Sequence, residues 1–259
     1  MSFFQAIILG IVEGISEFLP ISSTGHLILV SHLLQIQQTE FVKTFEIAIQ
    51  SGAILSVLFL YWKKIVSNIE LCKRVLVAFI PTAVIGFVLY KLIKHFLIGN
   101  VNVVLIALLT GGIALILIEL LFKRTGNHLK ESSFKMPSYK QSFIIGIFQS
   151  IAVIPGVSRS AASIVGAMIL GTNRDTAVEF SFLLAVPTLL AATALDLKET
   201  NMNFTSNEWI LLAVGFVVSF IIAVFAMKWF VKFVSSNTFI PFGIYRIILA
   251  ILYFLLIVR

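Results

Sequence analysis

Two carboxylates, Glu13 and Glu17, stand four residues apart in the stretch Glu13-Gly14-Ile15-Ser16-Glu17-Phe18-Leu19-Pro20-Ile21-Ser22-Ser23-Thr24-Gly25-His26. On a helix this spacing puts both side chains on one face. Two neighbouring carboxylates in apolar surroundings cannot both ionise cheaply, so either one keeps its proton or a cation sits between them. The first suits general acid–base work, and the second makes Glu13 and Glu17 candidate ligands of a divalent metal. A solvated helix face is the plain alternative, and the apolar neighbours argue against it. Pro20 ends the helix. Beyond it Ser22, Ser23 and Thr24 supply three hydroxyls where an N-cap needs one, and the N-terminus of a returning helix attracts an anion. His26 offers a base, an acid for a leaving group, or a nucleophile. His32 has no such company and reads as a surface or packing residue.

A second polar break is Pro155-Gly156-Val157-Ser158-Arg159-Ser160. A Gly-containing turn between helices presents backbone N–H groups to an anion, which makes Gly156, Ser158 and Ser160 candidate substrate contacts alongside Ser22 and Thr24. Arg159 has a planar fork of donors suited to phosphate or carboxylate. A structural ion pair, for example with Glu179, is its alternative. Carboxylates, a histidine, hydroxyls and an arginine together fit phosphoryl transfer: an arginine and a cation neutralise phosphate oxygens while a hydroxyl or imidazole attacks.

These residues sit in a chain of 259 residues, 59% hydrophobic and 12% charged, with 24 Phe. Its mean hydropathy is +1.05. A soluble domain is about a quarter charged, so a soluble enzyme, a disordered chain and a secreted disulfide scaffold are excluded. The net charge of +7 comes from 19 Lys+Arg against 12 Asp+Glu. It belongs to membrane-flanking loops, not to nucleic-acid binding, because no basic stripe interleaves with aromatics. Cys72 is the only cysteine, which removes intramolecular disulfides and CxxC metal sites. No basic region opens the chain and Glu13 and Glu17 interrupt its first apolar run, so a cleaved signal peptide is not expected.

The predicted fold is an all-α polytopic membrane protein. Six segments are expected as full spans: 45–62, 75–92, 101–122, 178–195, 209–230 and 240–258. The runs 3–36 and 143–170, each broken by one of the polar stretches, are expected as re-entrant helical hairpins. Broken backbone at membrane depth is tolerated only where protein or a water-filled cavity satisfies it. Lys63, Lys64, Lys73 and Arg74; Lys123, Arg124, Lys130, Lys135 and Lys140; and Lys228 and Lys232 fall on one side, the cytoplasm by the positive-inside rule. Both termini and the opening of the first hairpin then lie outside, and the second hairpin opens to the cytoplasm. The chain also repeats itself. Gly10-Ile11-Val12-Glu13 aligns with Gly146-Ile147-Phe148-Gln149 at an offset of 136, where Ser22 also meets Ser158 and Thr24 meets Ser160. Near an offset of 133, Phe45-Glu46-Ile47 aligns with Val178-Glu179-Phe180. One integral membrane domain, 1–259, is expected as inverted repeats of about 1–135 and 136–259. This architecture suits a lipid-phosphate flippase or other transporter as well as an enzyme.

The motifs Glu13 to His26 (EGISEFLPISSTGH), Pro155 to Ser160 (PGVSRS), Glu179 to Pro187 (EFSFLLAVP) and Phe239 to Arg246 (FIPFGIYR) resemble the undecaprenyl-diphosphate phosphatases, the bacitracin-resistance family of bacterial membranes. The similarity covers essentially the whole chain. Where the family pattern continues with Gly and Thr, this chain has Ala161 and Ser163. The resemblance implies hydrolysis of undecaprenyl diphosphate to the monophosphate and inorganic phosphate, which recycles the carrier lipid for cell-wall synthesis and confers bacitracin resistance. It implies that Glu13 and Glu17 are the family's carboxylate pair, Ser23 and His26 its catalytic Ser and His, and Arg159 its phosphate-binding Arg. It also implies a divalent cation, Mg²⁺ or Ca²⁺. The expected partners are the polyprenyl diphosphate and membrane lipid, with no nucleic acid and a homodimer left open. The expected location is the bacterial plasma membrane, with the site facing outside. Ser23 as nucleophile with Glu17 or His26 as base, and His26 as nucleophile with Ser23 as a ligand, are both consistent with the sequence.

Overall fold

The computed structural model describes residues 1–96, 100–124, 136–199 and 204–255. Among these residues every regular element is helical: α1 (Phe3–Ser16), α2 (Ser23–Leu33), α3 (Glu40–Ser67), α4 (Ile69–Phe96), α5 (Val101–Arg124), α6 (Tyr139–Ser150), a 3₁₀ turn (Ile151–Val153), α7 (Arg159–Ile169), α8 (Arg174–Glu199), α9 (Ser206–Val234) and α10 (Ile240–Tyr253). Five of the described helices, α3, α4, α5, α8 and α9, are long and apolar enough to cross a bilayer. They carry five of the six expected spans and extend several residues past most of the expected limits, because charged residues such as Glu40, Lys64 and Arg174 sit within the helices. The sixth expected span, 240–258, is described as the 14-residue α10, and its last residues lie outside the described region. Lys130 and Lys135 also lie outside it.

Both expected hairpins are pairs of short helices. α1 and α2 flank the break at 17–22, and α6 and α7 flank the break at 151–158. Their entries are capped alike. Ser2 and Gln5 form a reciprocal capping box on α1, and Ser138 and Gln141 form one on α6. Gln5 Nε2 then donates to Leu34 O at 3.2 Å and Gln141 Nε2 donates to Leu170 O at 2.8 Å, so each entering helix is tied to the end of its returning partner.

α1 packs on α9, and α6 packs on α4. The seams are built on small residues, which let backbones approach in a lipid environment. A Cβ on Gly14 would lie 2.7 Å from Ser219 O, and one on Gly146 would lie 2.0 Å from Ala78 O. α5 and α10 form a third close pair, and α3 and α8 meet at the centre. The largest buried cluster gathers Phe18, Phe182, Phe230 and Phe239. Outward, Phe4, Phe59, Trp62, Phe87, Val88 and Phe225 are well exposed, as lipid-facing residues are.

The two ends of the bundle are held by different contacts. At one end Tyr253 Oη meets His32 Nδ1 at 2.7 Å, and Phe41 packs edge-on to Phe204. At the other, Lys64 pairs with Glu179, Arg174 Nη2 pairs with Glu119 Oε2 at 2.6 Å, and Arg74 Nη1 donates to Pro137 O at 3.0 Å. Glu119 also accepts Phe239 N–H at 2.9 Å, which satisfies one free donor at the start of α10.

Candidate active site

The two breaks meet inside the bundle. Each returning helix begins with a serine N-cap in an unusual backbone conformation: Ser22 at φ 74° and Ser158 at φ 42°. Non-glycine residues rarely adopt positive φ, and such strain concentrates at functional sites. Ser22 Oγ accepts Gly25 N–H at 3.3 Å and Ser158 Oγ accepts Ala161 N–H at 3.2 Å. The first residues of the helices so capped are Ser23 and Arg159. Gly156, at φ 96°, lets the second chain turn where a Cβ would collide with Val104 and Ala107.

Glu17 joins the breaks. Ser23 Oγ donates to Glu17 Oε2 at 2.5 Å, and Arg159 Nη2 donates to Glu17 Oε1 at 2.9 Å. Arg159 Nη1 donates to Ser181 O at 2.8 Å, its guanidinium lies 5.7 Å from the Phe18 ring centroid, and its buried Nε has no hydrogen-bond partner among the described residues. Glu179, the alternative partner for Arg159, is taken by Lys64 on α3. Ser160 Oγ donates to Leu19 O at 2.7 Å and meets Ser158 Oγ at 3.0 Å, which pins the second break to the first. Ser163 Oγ donates to Ser181 Oγ at 2.7 Å, so its hydroxyl braces the helix that holds Arg159.

Glu13 is fully buried one turn before Glu17, and neither of its carboxylate oxygens has a hydrogen-bond partner among the described residues. A buried carboxylate without donors is costly unless it is protonated or meets a cation. Hard divalent cations take oxygen ligands and often only one or two carboxylates, with water and substrate phosphates completing the shell. Glu13, Glu17 and the adjacent hydroxyls match that donor set. Among the described residues no group of three or more His, Cys, Asp or Glu stands ready for a metal.

His26 is engaged on both ring nitrogens. Nδ1 is 2.7 Å from Ser22 O, and Nε2 is 2.7 Å from Tyr245 Oη, with the two rings stacked 5.5 Å apart. A carbonyl can only accept, so Nδ1 carries a proton.

A cavity of about 860 Å³ opens from this junction. Glu17, Ser22, Ser23, Thr24, Gly156, Ser158 and Arg159 line its polar end, while Glu13, His26 and Ser160 sit behind that wall. From there it runs between the middle of α4 and the later half of α8, past Thr82 and Thr188, to Val84, Phe87 and Leu195, whose side chains are exposed on the lipid-facing surface. Gln149, at the position of Glu13 in the second hairpin, donates to Thr82 and Thr188 at 2.9 and 3.0 Å. The site is thus a carboxylate–hydroxyl–guanidinium cluster at the head of an apolar groove.

Ser181, Tyr245 and Arg246 were not singled out as site residues by the sequence. The signal available was that polar residues stand inside the apolar stretches Glu179–Pro187 and Phe239–Arg246, where they are costly.

The chain matches known proteins along nearly its whole length. The family model described as bacitracin resistance protein BacA matches residues 6–252. The undecaprenyl-diphosphatase of Sulfurihydrogenibium sp. is 56% identical over 255 residues, covering 98% of this chain and 99% of the relative. That of Persephonella marina is 53% identical over 255 residues, with 98% and 99% covered, and that of Aquifex aeolicus 51% identical over 253 residues, with 98% of each covered.

Proposed function

The chain belongs to the BacA family, and we propose that its Glu17, Ser23 and Arg159 carry out the reaction of that family at the junction of the two helix breaks. The protein hydrolyses undecaprenyl diphosphate to undecaprenyl phosphate and inorganic phosphate, in keeping with the bacitracin-resistance role of the family. Ser23 Oγ attacks the terminal phosphorus, Glu17 takes the hydroxyl proton, and undecaprenyl phosphate leaves as the P–O bond of the anhydride breaks. Glu17 gives that proton up to the departing phosphate; water then attacks the phosphoserine, Glu17 takes a proton from the water and returns it to Ser23 Oγ as the serine–phosphorus bond breaks, and inorganic phosphate leaves. Arg159 and the N-termini of α2 and α7 hold the phosphoryl oxygens and the charge that develops on them.

The observation that carries this reading is the hydrogen bond from Ser23 to Glu17, whose other oxygen is bound by Arg159. Both ring nitrogens of His26 already have protein partners, which favours Ser23 over His26 as nucleophile. Glu13 and Glu17 would hold a Mg²⁺ or Ca²⁺ ion, which when bound neutralises phosphate charge. The groove that ends at Val84, Phe87 and Leu195 gives the prenyl tail a lateral path into lipid, so the diphosphate head reaches the polar end without the tail entering water.

The six-span, two-hairpin inverted repeat is part of the same proposal. It is supported by features that recur at an offset of 136: the capping boxes at Ser2 and Ser138, the positive-φ caps Ser22 and Ser158, and the ties Gln5–Leu34 and Gln141–Leu170. The packing of α1 on α9 and of α6 on α4 is likewise exchanged by the repeat. An outward-facing site is supported by the groove lining, which comes from the parts of α4 and α8 remote from Lys63, Lys64, Lys73 and Arg74.

The test is phosphate release from undecaprenyl diphosphate by purified protein in detergent. Ser23→Ala is expected to lose about 10³-fold or more in kcat and to form no phosphoprotein on rapid quenching. Activity should fall with a chelator and return with Mg²⁺ or Ca²⁺. Turnover retained by Ser23→Ala and lost by His26→Ala would move the nucleophile to His26.

A further inference from the structure

Arg246 lies in the middle of the apolar α10 and is 1% exposed. A buried cation is costly unless it is paired, yet among the described residues no carboxylate forms an ion pair with it. Its guanidinium instead faces four backbone carbonyls. Nη1 donates to Pro20 O at 3.3 Å, Nη2 to Gly156 O at 3.0 Å and to Ala107 O at 2.9 Å, and Nε to Leu108 O at 3.3 Å. Pro20 and Gly156 are carbonyls of the two helix breaks, where no helical N–H is in register to satisfy them. They also occupy equivalent positions, since 20 plus the repeat offset of 136 is 156. Ser23 follows the first by three residues, and Arg159 follows the second by three.

We propose that Arg246 is a positioning residue that clamps the two breaks together through Pro20 and Gly156 and so fixes the separation of Ser23 from Arg159. The guanidinium suits this role because it carries five donors in a rigid planar fork and reaches two chains at once, whereas an ammonium is a point charge on a flexible stem. The neighbouring helix makes room for it. A Cβ on Gly111 would lie 2.1 Å from Nη2, and Gly112 lets α5 approach Gly243 of α10. Arg246 touches neither the carboxylates nor the cavity, so its effect passes through the backbone that carries the reacting groups. This inference rests on the assignment of Ser23 and Arg159 above.

The experiment compares kcat, KM and melting temperature of purified Arg246→Lys, Gly111→Ala, Ser23→Ala and Arg159→Lys, with undecaprenyl diphosphate in detergent. Misplacing a reacting group by about 1 Å costs roughly 10²-fold in rate. Arg246→Lys is therefore expected to lose about 10- to 100-fold in kcat with KM within about threefold and melting temperature little changed. Gly111→Ala, which displaces the guanidinium and leaves Arg246 in place, is expected to show the same split at smaller amplitude. Wild-type kcat in Arg246→Lys would reduce the role to that of a buried charge and overturn the proposal. If Arg246→Lys fails to fold, Gly111→Ala decides: a fall in kcat at constant KM supports the clamp, and unchanged kcat overturns it. Inactive Ser23→Ala and Arg159→Lys beside a normal Arg246→Lys would overturn this inference alone. Normal turnover in Ser23→Ala and Arg159→Lys would overturn the site assignment and the clamp with it.

Discussion

Glu17 is the residue on which both halves of the site converge, because one carboxylate accepts from Ser23 of one break and Arg159 of the other. Replacing it with Gln keeps the shape and a hydrogen bond to Ser23 but removes the proposed base. General-base catalysis contributes about 10²–10⁴-fold, so Glu17→Gln should lose that much in kcat while inserting and melting normally. Near-normal turnover would leave the carboxylate without a catalytic role. Arg159→Lys keeps the charge and loses the fork. Loss of one well-placed donor typically costs about 10²–10³-fold, so kcat should fall by that factor with a smaller change in KM. A melting temperature equal to wild type would separate this from a structural loss, since Arg159 also ties Ser181 on α8 to the break. These residues were legible in the sequence because a carboxylate, a serine cluster or an arginine inside an apolar run needs a reason to be there. Arg246 was equally anomalous, but its partners are main-chain carbonyls, which leave no mark on residue identity. The pairing of Tyr245 with His26 spans 219 residues and depends on α2 and α10 both packing on α5, which no local pattern encodes.

At the scale of elements, the breaks follow from Pro20 and from the Pro155-Gly156 pair, and both were readable from composition. The exact turn was not. Ser22 and Ser158 hold positive φ without being glycines, and the contacts that brace those turns are distant in sequence: Ser160 Oγ on Leu19 O, and Arg246 on Pro20 O and Gly156 O. The helices continue past most of the expected span limits at their charged ends, where Lys64 and Glu179, or Arg174 and Glu119, pair between helices. The seams between elements depend on missing side chains. Gly146 brings α6 against the backbone of α4, and a Cβ there would lie 2.0 Å from Ala78 O, an atom of a packed helix that cannot step aside. Overpacking of this kind costs about 1–3 kcal/mol. Gly146→Val should therefore lower the melting temperature in detergent, with activity lost in proportion to the unfolded fraction. Gly86 on the same α4 has nothing within 4 Å of its would-be Cβ, and in a helix Ala is favoured over Gly, so Gly86→Ala should hold or raise it. Equal melting temperatures for the two variants would mean that α6 is free to move off α4 at little cost.

For the whole molecule, the question is which way the groove faces. The lysines and arginines at 63–74 sit at the end of the bundle closed by Lys64–Glu179 and Arg174–Glu119, and the groove opens between the middle of α4 and the later half of α8. In the proposed orientation, with the Lys and Arg excess in the cytoplasm, the groove opens toward the outer leaflet. Cys72 tests this, because it is the only cysteine and lies on α4 just after the α3–α4 turn, flanked by Lys73 and Arg74. Its thiol is partly buried and contacts Ile65 O at 3.3 Å, which slows labelling from either side. Lys73→Cys in a Cys72→Ser background places the probe on a side chain 56% exposed and removes that ambiguity. A membrane-impermeant thiol reagent should label this variant in inside-out vesicles and leave it untouched in intact cells. Labelling in intact cells would turn the bundle over and put the carboxylate–serine–arginine cluster at the cytoplasmic leaflet. In that orientation the enzyme would draw its diphosphate from newly made lipid in the inner leaflet, not from carrier released after polymer transfer outside.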